Sequence, residues 1–221
     1  MIVRELISDI LPSVLSSDTA SRALSWMGEF KLSQLPIVDE GKYVGLITED
    51  DILDAAAPDL EVGEMKFSGW DSAYIYEENH IYDGIDLMSK LGLEILPVLD
   101  EENTYLGVIT FRDISRHLGT LFALQDPGGI LVLQVRRDSY VLSEIGRIVE
   151  SEDAAVLSLY LSASPISNDL LVTMKLNVED LSRVVSSFER FDYQVVRVYH
   201  RGEAVDDYRR NLDALIKYLE M

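Results

Sequence analysis

Apolar residues along this chain fall into short runs whose period switches between helical and strand-like. "LPIVD" at 35–39 and "YVGLIT" at 43–48 predict two short strands around the turn "DEGK". Leu24 and Met27 predict a helix before them, and the acid-rich stretch after Thr48 predicts another. The same succession returns: "LPVLD" at 96–100 and "YLGVIT" at 105–110 flank the turn "DEENT", with Ile85 and Met88 in the helix upstream. Leu35 matches Leu96 at an offset of 61 and Gly45 matches Gly107 at 62, so the second turn carries one extra residue. Each copy reads helix, strand, turn, strand, helix, with Asp18 and Asn79 as the predicted helix caps. Neither copy can bury its sheet alone, so the two are expected to pack together.

"LQDPGG" at 124–129 is turn chemistry and marks a change of pattern. "ILVLQVRR" places Leu131, Leu133 and Val135 on one strand face, and "SYVLSEIGRIVES" spaces Leu142, Ile145 and Val149 helically. "AVLSLYLSAS" predicts a strand with Ala155, Leu157, Leu159 and Leu161 on one face. "DLLVTMKLNV" alternates Leu170, Val172, Met174 and Leu176, "LSRVVSSF" spaces Leu181, Val184, Val185 and Phe188 helically, and "YQVVRVY" closes the set. That order, strand, helix, strand, strand, helix, strand, predicts a ferredoxin-like unit and an α+β chain overall. Beyond it, Leu212, Leu215, Ile216 and Leu219 predict an amphipathic helix that docks on its own fold or on a partner.

Composition narrows the function. The 221 residues carry a net charge of −20, with 8 Lys/Arg against 23 Asp/Glu in residues 1–120 and 11 against 16 beyond. A broad basic surface for nucleic acid is therefore not expected. No run approaches the roughly 20 apolar residues of a membrane span, and the acidic N-terminus does not resemble a signal peptide. These features predict a soluble cytoplasmic protein. With no cysteine, disulfides, thiolate metal sites and a cysteine nucleophile are excluded. His80, His117 and His200 lie in separate contexts and no HExxH, GxSxG or P-loop pattern occurs, so an enzyme is not expected. The acids of "EDDILD" lack calcium-loop spacing and are expected to form a solvated face rather than a metal site.

The paired segments "GLITEDDIL" and "GVITFRDIS" each carry glycine, two apolar residues, threonine, two variable residues and aspartate. These residues resemble a tandem of cystathionine-β-synthase-type (CBS) domains, a Bateman module, over about the first 123 residues. The resemblance implies a small sheet and two helices per copy, pseudo-twofold packing, and clefts that hold adenosine-type ligands: AMP, ADP, ATP or S-adenosylmethionine. It also implies nucleotide-binding roles for Thr48 and Asp51 in one copy and for Thr110 and Asp113 in the other. The same Thr-x-x-Asp spacing at a strand-to-helix junction is a capping box, and the two roles can coexist. Copy one continues Glu49-Asp50-Asp51, whereas copy two reads Phe111-Arg112-Asp113 with Arg116 a turn further on. Arg112 is thus a candidate phosphate contact, and phosphate is expected to prefer the second cleft.

The module that follows resembles an ACT domain, an amino-acid-sensing fold, although Tyr140 and Val141 stand where that family's loop glycine would follow Asp138. A role in dimerisation is therefore expected ahead of amino-acid sensing. The whole order resembles small acetoin-utilisation-type CBS proteins. The expected organisation is repeat one at about 1–62, repeat two at about 63–123, the ACT-like domain at 124–202 and the amphipathic helix at 203–221. The expected function is non-catalytic regulation by an adenosine-type ligand in a homodimer, with no cofactor required. The competing expectation is a constitutive adaptor without a nucleotide.

Overall fold

The computed structural model describes residues 1–8, 11–65 and 72–199. The chain divides into two units, Met1–Arg116 and His117–Met221. The predicted C-terminal helix lies outside the described residues, as does His200.

In the first unit, copy one comprises α1 (Ala20–Phe30), β1 (Gln34–Asp39), β2 (Lys42–Thr48) and α2 (Glu49–Ala55). Copy two comprises β3 (Ile75–Tyr76), α3 (Ile81–Leu91), β4 (Ile95–Leu99), β5 (Tyr105–Thr110) and α4 (Phe111–Leu121). The repeat extends to backbone pairing. Val14 pairs in parallel with Ile37, and 61 residues on, Ile75 pairs in parallel with Val98. The two-residue turn of copy one places Glu40 and Gly41 at φ 50° and 78°, the conformation that matches strand twist in a tight hairpin. In copy two the longer turn is organised by Asp100, whose Oδ1 accepts the amides of Glu102 (2.9 Å) and Thr104 (2.7 Å).

Each hairpin also carries a bulge at the same place, where Ile37 faces Gly45 and Val98 faces Gly107 before the register shifts. Gly107 has φ +141°, and a Cβ there would lie 2.8 Å from both Ser8 O and Ile7 Cγ2. The motif glycine of copy two is therefore needed because the N-terminal segment runs against β5. Ser8 N donates to Val108 O at 2.8 Å, and Val108 N donates back to Ser8 O at 3.2 Å.

The predicted caps are each displaced by one residue. Thr19, not Asp18, caps α1 by accepting from Arg22 N, and His80, not Asn79, caps α3 through Nδ1 from Tyr82 N. Asp18 instead accepts Leu15 N at 2.8 Å and pairs with Arg22, while Asn79 accepts Tyr76 N. Both side chains stabilise the turn that delivers the chain to the helix. The copies meet at equivalent positions: Ser33 N donates to Glu94 Oε2 and Glu94 N donates to Gln34 Oε1, each at 3.1 Å.

The second unit contains β6 (Ile130–Val135), α5 (Leu142–Glu150), β7 (Val156–Ala163), β8 (Leu170–Leu176), α6 (Ser182–Arg190) and β9 (Gln194–Tyr199). Its sheet is antiparallel with order β7-β8-β6-β9, the ferredoxin-like arrangement. Leu131, Leu133, Val172, Met174 and Leu176 bury one face of the sheet against Ile145, Val149, Val184 and Phe188. Three leucines predicted on buried faces are exposed instead. Leu142, the first residue of α5, is 53% exposed. In β7 a bulge between Val156 and Ser158 breaks the alternation, so Val156 and Leu159 reach the core while Leu157 is exposed; Leu161, on the same face as Leu159, is exposed further along the strand.

Candidate functional site

Copy two brings its motif to the mouth of a cleft because β5 ends at Thr110 and the chain turns at once into α4. Thr110 Oγ1 accepts from Asp113 N at 3.1 Å and donates to Asp113 Oδ2 at 2.6 Å. The other carboxylate oxygen, Oδ1, stands 3.5 Å from Arg116 Nη1. In copy one, Thr48 Oγ1 and Asp51 make the same exchange, at 3.0 and 2.6 Å, and Thr48 N adds a third bond to Asp51 Oδ2 at 3.0 Å. That is a complete reciprocal capping box. Asp51 thus receives two donors from its threonine, whereas Asp113 receives one and turns its second oxygen toward a cation.

The cleft has a volume of about 540 Å³, within the usual range for small-molecule sites. Ser8 and Leu11 form one wall, the end of α1 at Phe30–Leu32 another, and Glu94 with Thr110–Asp113 and Arg116 the rest. The two copies thus contribute jointly: the C-terminus of the first helix of copy one faces the start of the last helix of copy two. Thr110, Arg112, Asp113 and Arg116 come together here, while Thr48 and Asp51 do not line this cleft.

Three cations, Lys31, Arg112 and Arg116, share the cleft with two carboxylates, Glu94 and Asp113, in a chain of net charge −20. Glu94 is partly engaged by Ser33 N and Asp113 by Arg116. Arg112 and Lys31 form no ion pair among the described residues. Lys31 is the C-cap of α1 and has left-handed backbone angles, φ 58° and ψ 46°. Its counterpart 61 residues on is Gly92, at φ 68° and ψ 34°. A non-glycine residue in that region is disfavoured by about 1–2 kcal/mol, so copy one carries a cation where copy two has the unstrained residue. Phe111, 64% exposed, adds an aromatic face, and Phe30, Leu11 and Leu32 add apolar walls.

Chemically, a carboxylate whose second oxygen is held only by an exposed arginine can accept a vicinal diol, unpaired cations can bind phosphate, and apolar walls can hold a base. In copy one the first turn of α2 is Glu49-Asp50-Asp51 with no cation in it, an arrangement that repels phosphate. Lys31, Glu94 and Phe111 are absent from the motif-based expectation. The repeat offset pairs Lys31 with Gly92 and so held a signal for the first of them, but only tertiary packing shows that it faces the second motif.

In the second unit, Asp138 is exposed and stands 3.6 Å from Arg136, and Tyr140 packs on the core. A smaller hollow of about 370 Å³ lies between Gln134, Arg136, Ser139, Glu144, Asp169 and Tyr193. Burial, with a hydrogen bond to Glu144, pushes the Tyr193 hydroxyl up to about 12. Among the described residues, no group of three or more His, Asp or Glu could hold a metal ion. No helix of the described residues is long and apolar enough to cross a membrane.

Residues 3–58 and 69–120 both match the family model described as CBS domain. The inosine-5'-monophosphate dehydrogenase of Methanocaldococcus jannaschii is 28% identical over 152 residues, 68% of this chain and 30% of that one. The chain therefore spans less than a third of the length of that relative. A CBS domain pair/ACT domain protein of Thermotoga maritima is similar at 24% identity and a TM-score of 0.48, covering 53% of this chain and 96% of that one. A CBS domain pair solved with 5'-methylthioadenosine and S-adenosyl-L-methionine shares 30% identity at a TM-score of 0.44, covering 54% of this chain and 96% of that one.

Proposed function

The chain belongs to the CBS-domain family, carrying the domain twice, and on that premise we propose that it is a non-catalytic regulator that binds a phosphorylated adenosine ligand in the cleft of its second motif. One observation carries the reading: Thr110 and Asp113 share a cleft of about 540 Å³ with Lys31, Arg112 and Arg116. Asp113 would accept the ribose hydroxyls through Oδ1, displacing Arg116 toward phosphate. Arg112 and Lys31, which have no acidic partner among the described residues, would bind the phosphates directly. Hydrogen bonds to charged groups of this kind contribute about 1.5–3 kcal/mol each. AMP, ADP and ATP fit this charge pattern better than adenosine or S-adenosylmethionine, whose sulfonium gains nothing from three cations. Thr48 and Asp51 would hold at most an uncharged adenosine moiety.

Regulation would follow by population shift, the ligand favouring the arrangement of the two repeats in which Lys31 and Arg112 flank the same phosphate. We place this function in the cytoplasm, in a homodimer to which the ACT-like domain contributes assembly rather than amino-acid sensing. The adaptor reading has one favourable observation, the complete capping box at Thr48 and Asp51, and it predicts no nucleotide affinity at either motif. Calorimetric titration separates the two. ATP is expected to bind the wild type, to bind Arg112→Gln at least tenfold more weakly, and to bind more tightly than adenosine. Equal affinities for ATP and adenosine would refute the phosphate assignment, and no binding of any adenosine compound would leave the adaptor.

A further inference from the structure

The second unit has one sheet face that its described helices, α5 and α6, do not use. α5 and α6 cover the face of Leu131, Leu133, Val172 and Met174. The opposite face presents Val132, Tyr160, Leu171, Lys175, Val196 and Tyr199 around a groove of about 630 Å³. It is largely apolar, and Tyr160, Val196 and Tyr199 are 47%, 40% and 47% exposed. At one end Phe122 closes it, its ring edge-on to Tyr160 at 5.6 Å and its carbonyl accepting Ser158 Oγ at 3.1 Å.

Lys175 makes this face unusual. It is only 7% exposed, lines the groove, and forms no ion pair or hydrogen bond through its side chain among the described residues. A buried ammonium without an anionic partner is costly, so the groove calls for an occupant that is apolar along its length and acidic at its flank. Arg197, which also lines the groove, has no acidic partner among the described residues either.

The chain encodes such a segment directly after the strand that forms one wall. Beyond Tyr199, residues Val205, Tyr208, Leu212, Leu215, Ile216 and Leu219 follow helical spacing, and Asp213 and Glu220, seven residues apart, fall beside that stripe on one flank, which also carries Arg209 one turn before Asp213. A segment tethered within a few residues of its groove acts at an effective concentration in the millimolar range, which favours it over a free competitor. We propose that the groove over β6–β9 is the docking site of the chain's own residues 205–220, with the apolar stripe against Val132, Tyr160 and Leu171 and the acidic flank against Lys175 and Arg197.

Because the chain has no cysteine, one engineered pair tests this in the full-length protein. Thr173→Cys, at the centre of the face, combined with Leu215→Cys is expected to form an intrachain disulfide under mild oxidation. Arg183→Cys on the exposed side of α6, combined with Leu215→Cys, is expected to form none. Failure to crosslink, crosslinking only between chains, or equal crosslinking of the two pairs would overturn the proposal. A second measurement avoids cysteines: Leu215→Asp/Ile216→Asp in the full chain should raise binding of an apolar dye several-fold, and unchanged dye binding would also overturn it.

Discussion

Gly107 is the position at which the recurring motif, the N-terminal segment and the cleft are tied together, so Gly107→Ala tests several links at once. The residue sits at φ +141°, and its new Cβ would lie 2.8 Å from the Ser8 carbonyl oxygen and 2.8 Å from Ile7 Cγ2. An L-residue held in this region costs about 1–3 kcal/mol. Relieving the clash also makes the segment retreat, which breaks the two Ser8–Val108 hydrogen bonds, at about 1 kcal/mol each. The sum is a loss of about 3–5 kcal/mol, a large part of the ~5–15 kcal/mol typical of a domain. Both tryptophans, Trp26 and Trp70, precede residue 117, so urea unfolding followed by tryptophan fluorescence reports on the first unit. The midpoint should fall with little change of slope. The control is Gly28→Ala in α1, where a Cβ meets nothing within 4 Å; it should stabilise by about 0.5–1 kcal/mol. If Gly107→Ala costs less than about 1 kcal/mol, the close approach of the N-terminal segment is not what the motif glycine serves. Since Ser8 also lines the cleft, the same variant should weaken ATP binding.

Lys31→Gly should raise stability by about 0.5–1 kcal/mol by relieving the left-handed backbone, yet weaken ATP binding by about tenfold or more; thermal melts and titration of one variant read both signs. Tyr105→Phe should stabilise by about 1 kcal/mol, because the Tyr105 hydroxyl is buried without a hydrogen-bond partner among the described residues and burial pushes its pKa up; denaturant unfolding at neutral pH measures it. Asp100 is held below the usual carboxylate range by the amides of Thr104 and Glu102. Its contribution is therefore present above about pH 4 and lost as pH falls through the lower folded value. The stability gap between wild type and Asp100→Asn should be constant near neutrality and shrink below about pH 4, as read by unfolding across pH.

The repeat made most of the first unit legible, because an offset of 61 aligns not only side chains but the pairing of Val14 with Ile37 and of Ile75 with Val98. In the second unit the alternation of Val172, Met174 and Leu176 identified the buried face of β8. Local competition explains the misses. Thr19 and Asp18 are both good caps, and which one serves depends on the turn that Asp18 makes with Leu15. A bulge shifted the face of β7 at Leu157, which a period-two pattern cannot anticipate. The cleft itself was half legible: Thr110, Arg112 and Asp113 stand together in sequence, but Lys31 joins them only through the packing of one copy against the other.

The most direct test of the nucleotide reading is a set of thermal melts of the wild type, Asp51→Ala and Asp113→Ala with AMP, ADP, ATP, adenosine and S-adenosylmethionine. A ligand at 100 times its dissociation constant should add about 2.7 kcal/mol of stability. The rise should appear with the phosphorylated ligands, survive in Asp51→Ala and disappear in Asp113→Ala. A rise lost in Asp51→Ala and kept in Asp113→Ala, or flat melts with every ligand, would contradict it.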